Sequence, residues 1–171
     1  MILQTTRLSL APLVPGDGAL IAPIFADPDV MTHWDYPEID DAGTVDELIA
    51  AQLASMERDQ GFYWAIRRLD DNVLIGCCEV AEIDWRHRRA EIGFVLAQPY
   101  WGVGYALEAM HAVIDHVAGL GLKRLTARIH IGNTRSEALL KKLHFQEEGY
   151  LRGHVDRDGE RRDCKLYGLL L

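Results

Sequence analysis

The segment Ala90-Glu91-Ile92-Gly93-Phe94-Val95-Leu96-Ala97-Gln98-Pro99-Tyr100-Trp101-Gly102-Val103-Gly104-Tyr105-Ala106 reads as a strand, a short loop with two glycines, and the start of a helix. Glycines in such a loop let backbone N–H groups converge on an anion, and the helix N-terminus adds its dipole. The pattern predicts a phosphate or pyrophosphate site. The alternative is a close-packed strand-to-helix turn with no ligand. Two familiar phosphate loops do not fit. A dinucleotide fingerprint needs a third glycine and an acid about 20 residues on, and both are missing. A P-loop needs Gly-Lys-Ser/Thr, which is absent.

Working outward, Arg7–Leu13 alternates as a strand, and Pro15–Ala26 reads as a short helix closed by Asp27-Pro28. Val45, Leu48, Ile49, Gln52, Leu53 and Met56 fall at helical spacing, which predicts an amphipathic helix over 44–59. Phe62–Arg68 and Val73–Ile83 are strands about a turn at Asp70-Asp71-Asn72. Arg88–Ala97 is a strand. Gly104–Leu120 is a helix with Leu107, Met110, Ile114 and Val117 as its expected core face. Arg124–Ile131 is a strand, and Thr134–Leu143 a helix opened by a Thr134-x-x-Glu137 capping box. Phe145–Gly153 and Arg162–Leu170 are strands about a turn at Asp158-Gly159. The order β α α β β β α β α β β predicts an α/β (α+β) single domain, 1–171. Its mixed central sheet has seven strands, parallel across 88–131 and antiparallel in the flanking hairpins, with four helices.

The composition agrees. The 171 residues are 49% hydrophobic and 26% charged, with four Trp, which fits one globular domain of about 100–200 residues and argues against disorder. No apolar run approaches the roughly 20 residues of a membrane span. Met1–Arg7 lacks the basic-then-apolar pattern of a secretory signal. Cys77, Cys78 and Cys164 are odd in number and form no C-x-x-C, which reads as reduced thiols in a cytoplasmic protein. The seven histidines show no metal-ligand spacing, so no metal is expected. A net charge of −8 argues against nucleic acid, despite Arg86-His87-Arg88-Arg89. Monomer and homodimer both remain open. The charge is unevenly distributed. Residues 1–60 hold 11 acids and 2 bases, and residues 121–171 hold 11 bases and 7 acids. Residues 35–47 carry six acids and no Lys or Arg. This is either a solvated face or a surface that steers a cationic partner.

The loop Trp101-Gly102-Val103-Gly104-Tyr105-Ala106 resembles the acetyl-CoA pyrophosphate loop of the GNAT superfamily of N-acetyltransferases. Gly104 and Ala106 fill the last two positions of its [QR]-x-x-G-x-[GA] pattern, and Trp101 replaces the Gln or Arg. With that replacement the chain is similar to the Rim-type branch, which acetylates ribosomal-protein N-termini and various small amines. Thr6-Arg7-Leu8, Trp64-Ala65-Ile66, Leu74-Ile75-Gly76, Ala90–Phe94, Gly132-Asn133-x-x-Ser136 and Lys142-Leu143-His144-Phe145 match that branch in order, with His144 where Gly is usual.

The resemblance implies a V-shaped split sheet and direct attack of an amine on acetyl-CoA, with no covalent enzyme intermediate. The implied cofactor contacts are the backbone at Phe94, Val95 and Leu96, the loop Trp101, Gly102, Val103, Gly104, Tyr105 and Ala106, and Asn133. Arg135, Lys141 and Lys142 are candidates for CoA phosphate. The implied acceptor pocket is built by residues 15–59 and the hairpin 153–162, with a cationic amine (a peptide N-terminus or a polyamine-like molecule) as acceptor. A base is needed because the amine arrives as an ammonium, and Glu91 is the first choice, matching a Glu that serves as base in some histone-acetylating members of the family. Pairing of Glu91 with Arg88 or Arg89 is the competing reading, and Glu79, Glu82 or a held water are its rivals as base. Ser136 matches a Rim-type serine that meets the departing thiolate. Three positions depart from family acids or tyrosines: Arg128, Val155 (beside His154) and Leu140. They keep a second reading open, a CoA-binding sensor without turnover.

Overall fold

A computed structural model describes all residues 1–171. Its strands are β1 (Leu3–Gln4), β2 (Leu8–Pro12), β3 (Phe62–Arg68), β4 (Leu74–Asp84), β5 (Arg89–Leu96), β6 (Arg124–His130), β7 (Gln146–Arg157) and β8 (Glu160–Leu170). The helices are α1 (Gly18–Phe25), α2 (Pro28–Met31), α3 (Ala42–Glu57), α4 (Tyr105–Gly119) and α5 (Thr134–Lys142). All strands join one sheet in the order β1-β2-β3-β4-β5-β6-β8-β7. The strand missing from the sequence reading is β1, which pairs with β2 at Leu10 and Ser9. Two residues are too few to show alternation. The missing helix, α2, is a single turn and equally too short to show a period. Pro15–Asp17 forms a 3₁₀ turn ahead of α1 instead of its first turn.

The sheet is covered on both faces. Ala109, Met110, Val113 and Val117 of α4 and Leu140 of α5 pack on one face with Leu125, Ala127 and Ile129 of β6. The buried stripe of α4 is rotated from the expected one, and Leu107 and Ile114 are only half-buried flanks. Ile21, Ile24 and Phe25 of α1 and Val45 and Ile49 of α3 cover the other face, over Tyr63, Ala65 and Val95. Burial of a Leu- or Ile-sized side chain contributes about 1.5–3 kcal/mol, so each layer is held by several such contacts.

The feature that positions the site is a break between β5 and β6. They run parallel but pair only at Arg89–Arg124, Ala90–Leu125 and Glu91–Thr126. Past that point β5 stays on β4 as far as Leu96, and β6 stays on β8 as far as His130. The sheet therefore opens as a V, with the second half of β5 forming a free inner edge.

The expected Thr134-x-x-Glu137 capping box does not form. Asn133 is the N-cap of α5, and its side chain accepts from Ser136 N at 3.2 Å. Glu137 turns instead to Lys165 Nζ, 3.1 Å away, and Tyr167. With Asn133 as N-cap, Ser136 and not Glu137 stands at the third helical position, so the box has no carboxylate to close it.

Candidate active site

The glycine loop lies at the open end of the V. Gly102 and Gly104 take φ of +77° and +89°, the left-handed region that side chains with a Cβ rarely adopt. Helical backbone bonding in α4 begins with Glu108 N, which donates to Gly104 O, and the amides from Gly102 to Leu107 have no backbone acceptor. These six unpaired N–H groups, three in the loop and three in the first turn of α4, are the kind of donor set that an anion can accept from.

This loop is held by the N-terminus. Arg7 Nη1 donates to Val103 O at 3.1 Å, and its guanidinium lies 4.5 Å from the Tyr105 ring centroid. Arg7 Nε and N both donate to Glu108, and so does Thr5 Oγ1 at 2.6 Å. The Thr6-Arg7-Leu8 signature thus marks a clamp on the loop, a role that its sequence does not announce. Trp101 closes the other side. Its indole N–H donates to Leu96 O at 2.7 Å, and Arg135 of α5 stacks 4.7 Å from its ring. Asn133 and Ser136 stand in the first turn of α5, both half-buried.

Ala97 N donates to Ile75 O. By strand alternation the amides of Val95 and Gly93 also point to β4, and those of Phe94 and Leu96 point into the V. Of the three residues expected to present backbone donors, Phe94 and Leu96 do so, whereas Val95 packs its side chain under α1 and α3.

On the α1–α3 face the candidate carboxylates separate. Glu91 Oε1 accepts from Arg128 Nε at 2.8 Å, so its partner is neither Arg88 nor Arg89. Arg128 also meets His154 Nε2 at 3.1 Å and Asp35 at 3.6 Å, and Asp35 bonds His130 Nε2 at 2.8 Å. That hydrogen bond, partly opposed by burial, holds the Asp35 carboxyl below its usual range. Burial raises the Glu91 carboxyl, with Arg128 opposing the shift. Glu79 lies opposite Gly93 across the β4–β5 ladder. A Cβ at Gly93 would come within 2.9 Å of Glu79 Oε1, so the glycine is what lets this carboxylate lie across β5. Burial, reinforced by Glu91, raises the Glu79 carboxyl to about 7. Glu82 sits at a bulge in β4 with φ +52° and is exposed.

Three of the six acids of 35–47 have internal partners, and a fourth packs on a glycine. Asp35 meets His130, Glu38 meets Arg157, Asp41 caps α3 by accepting from Thr44 N at 2.8 Å, and Asp46 abuts Gly18. Arg157 is the sharpest omission from the sequence reading. It is buried, and its Nη1 donates to Met31 O, Thr32 O and Trp34 O. No local pattern marks it, since its partners lie in the first quarter of the chain.

Residues 7–146 match the acetyltransferase (GNAT) domain. The chain is 30% identical over 170 residues to the uncharacterized N-acetyltransferase YoaA of Bacillus subtilis, covering 99% of this chain and 96% of that one. A RimL ribosomal L7/L12 α-N-protein acetyltransferase solved with coenzyme A superposes with a TM-score of 0.92 at 18% identity, covering 100% of this chain and 98% of that one. A spermidine N-acetyltransferase from Vibrio cholerae, solved with CoA and spermine, gives 0.84 at 24% identity over 97% and 96%. These two likenesses are of fold. The split sheet and the amide-lined loop thus belong to a known acetyltransferase architecture, and the chain is a member of the GNAT N-acetyltransferase family.

Proposed function

We propose that the protein transfers an acetyl group from acetyl-CoA to a primary amine that arrives as a cation, by direct attack with both substrates bound. The observation that carries this reading is the juxtaposition of two donor sets: six free amides at the start of α4, and the gap-facing amides of Phe94 and Leu96. The first set fits a pyrophosphate. The second fits a carbonyl oxygen that gains negative charge during attack. Acetyl-CoA supplies the activated acetyl thioester. The protein's residues hold the phosphates, orient the thioester, exclude water and take the amine's proton. Ser136, set by the Asn133 cap, is the hydroxyl we assign to the departing thiolate, whose pKa near about 8.5 needs no strong acid. We assign Arg135, which stacks on Trp101 beside the loop, to CoA phosphate. Three unpaired thiols suit a reducing cytoplasm.

The test has two parts. Acetyl-CoA should raise the melting temperature in proportion to ligand concentration, and an amine panel should release free CoA thiol. Binding without release from any amine would favour the sensor reading. No binding would overturn both.

A further inference from the structure

A cleft of about 640 Å³ opens between the sheet and the α1–α3 layer, within the roughly 300–1,000 Å³ of small-molecule sites. It reaches Gly93, Phe94 and Val95, the free half of β5. Four aromatic rings line it, Phe25, Trp34, Tyr36 and Tyr63, whereas the Phe94 ring packs on the α4 face of the sheet. Trp34 stands 5.8 Å from Phe25 and 5.7 Å from Tyr36 between centroids, so three of them form a row. No Lys, Arg or His lines the cleft, and its charged groups are Asp35, Glu79 and Glu82. Asp35 is already matched by His130 and Arg128, and Glu82 is exposed. Glu91 does not line the cleft, being held by Arg128. Glu79 is thus the one half-buried carboxylate in the cleft without a counter-ion. Gln52 Oε1, in the same wall, is buried without a donor.

We infer that this cleft is the acceptor site, that Glu79 receives the amine's proton, and that the preferred acceptor is a singly charged primary amine on an aromatic or branched apolar body. This deepens the acetyl-transfer reading and rests on it. Glu79, the one sheltered unmatched carboxylate, neutralises one ammonium inside the cleft, whereas the equally unpaired Glu82 is exposed and screened by water. A polyamine would carry further charges among rings, where each unpaired charge is costly. A free amino acid would bring a carboxylate to a wall with no cation. The rings suit an apolar body and attract its ammonium through cation–π contact. In the step itself, R–NH₃⁺ gives a proton to Glu79, the neutral nitrogen forms the N–C bond to the acetyl carbon, and the C–S bond breaks. The nitrogen's second proton ends on the thiolate, leaving R–NH–COCH₃, CoA–SH and one proton passed from Glu79 to solvent.

Burial sets the Glu79 carboxyl at about 7, with Glu91 and Glu82 raising it and Arg128 lowering it, and Tyr36 and Tyr63 facing it from the loop after α2 and from β3. The rate should therefore gain an acid limb near pH 7, because only the ionised carboxylate accepts a proton.

The experiment compares phenethylamine and isoamylamine with spermidine, a Ser-initiated peptide and phenylalanine, using thiol release. The expected kcat/KM favours the first two by at least ten-fold. Glu79→Gln should lose about 10²–10⁴-fold in kcat and lose the acid limb, with acetyl-CoA binding retained as the control for folding. Ala51→Phe, which fills the cleft from α3, should raise the amine KM at least ten-fold and leave acetyl-CoA affinity unchanged. Preference for spermidine or the peptide overturns the assigned acceptor class while acetyl transfer stands. An acid limb that survives in Glu79→Gln overturns the proton role. Failure to bind acetyl-CoA overturns this inference together with the reading it rests on.

Discussion

At the residue scale, Glu79 and Glu91 show how one sheet face sorts two carboxylates. Both lie on the α1–α3 side, yet one meets a guanidinium and the other meets a cleft. The half-buried, unmatched carboxylate has a consequence for stability. In the unfolded chain Glu79 ionises near 4.5, and in the fold near 7. Between these values the folded state binds more protons than the unfolded one, so this group's contribution to stability falls as pH rises and stays low above 7. A neutral Gln avoids that loss. Glu79→Gln should therefore melt higher than the parent at pH 8 and show a much smaller difference at pH 5. The gain should be a few degrees, since 1 kcal/mol moves a chain of this size by about 2–4 °C. Melting curves of both proteins at the two pH values check it, and a pH-independent difference would contradict it.

At the element scale, the loop before α4 depends on glycine at two positive-φ positions. Gly104 is the N-cap of α4 at φ +89°, where a β-branched residue costs on the order of 1–3 kcal/mol, and a Cβ would sit 3.4 Å from Arg7 Nη2. Gly104→Val should abolish the acetyl-CoA-dependent rise in melting temperature. Arg7→Ala keeps every loop amide but removes the clamp. Its guanidinium is 44% exposed, so the ion pair with Glu108 contributes about 0–1 kcal/mol. Titration calorimetry should show acetyl-CoA affinity falling up to about five-fold, with kcat at saturation nearly unchanged. A much larger loss would mean that Arg7 touches the ligand itself.

At the scale of the whole molecule, the charge asymmetry is partly answered within the chain. The acidic first third and the basic last third meet at the segment 31–38. Arg157 holds three of its carbonyls and Glu38, Arg162 Nη1 donates to Thr32 O at 3.1 Å, and His130 holds Asp35. That segment carries Trp34 and Tyr36 into the cleft. Arg157→Met removes bonds to a buried charged donor, worth about 1.5–3 kcal/mol each at most and not additive. We expect a loss of about 2–3 kcal/mol in denaturant unfolding. The amine KM should rise several-fold and acetyl-CoA affinity should hold, because α4 and its loop lie on the other face. Equal losses for both substrates would contradict this division.

What the sequence by itself determined was local. The strand–glycine–helix segment 90–106, the helical period of α3 and the succession of the longer elements along the chain follow from neighbours within a few turns of chain. So did the family motifs that implied a split sheet. Tertiary structure decided everything that depends on register and on distant partners. Cross-strand register put Glu79, not Glu91, over Gly93 and into the cleft. The helix began one residue earlier than its capping box implied, which made Asn133 the cap and left Glu137 to pair with Lys165. The hairpin of β7 and β8 brought Arg157 to carbonyls at 31–34, and the N-terminal Thr5 and Arg7 to Glu108 was likewise a contact across the fold. Periodicity reports which face of an element is apolar. Charge pairing, desolvation and the shape of a cleft are set by atoms that meet only when the sheet and its two helical layers close.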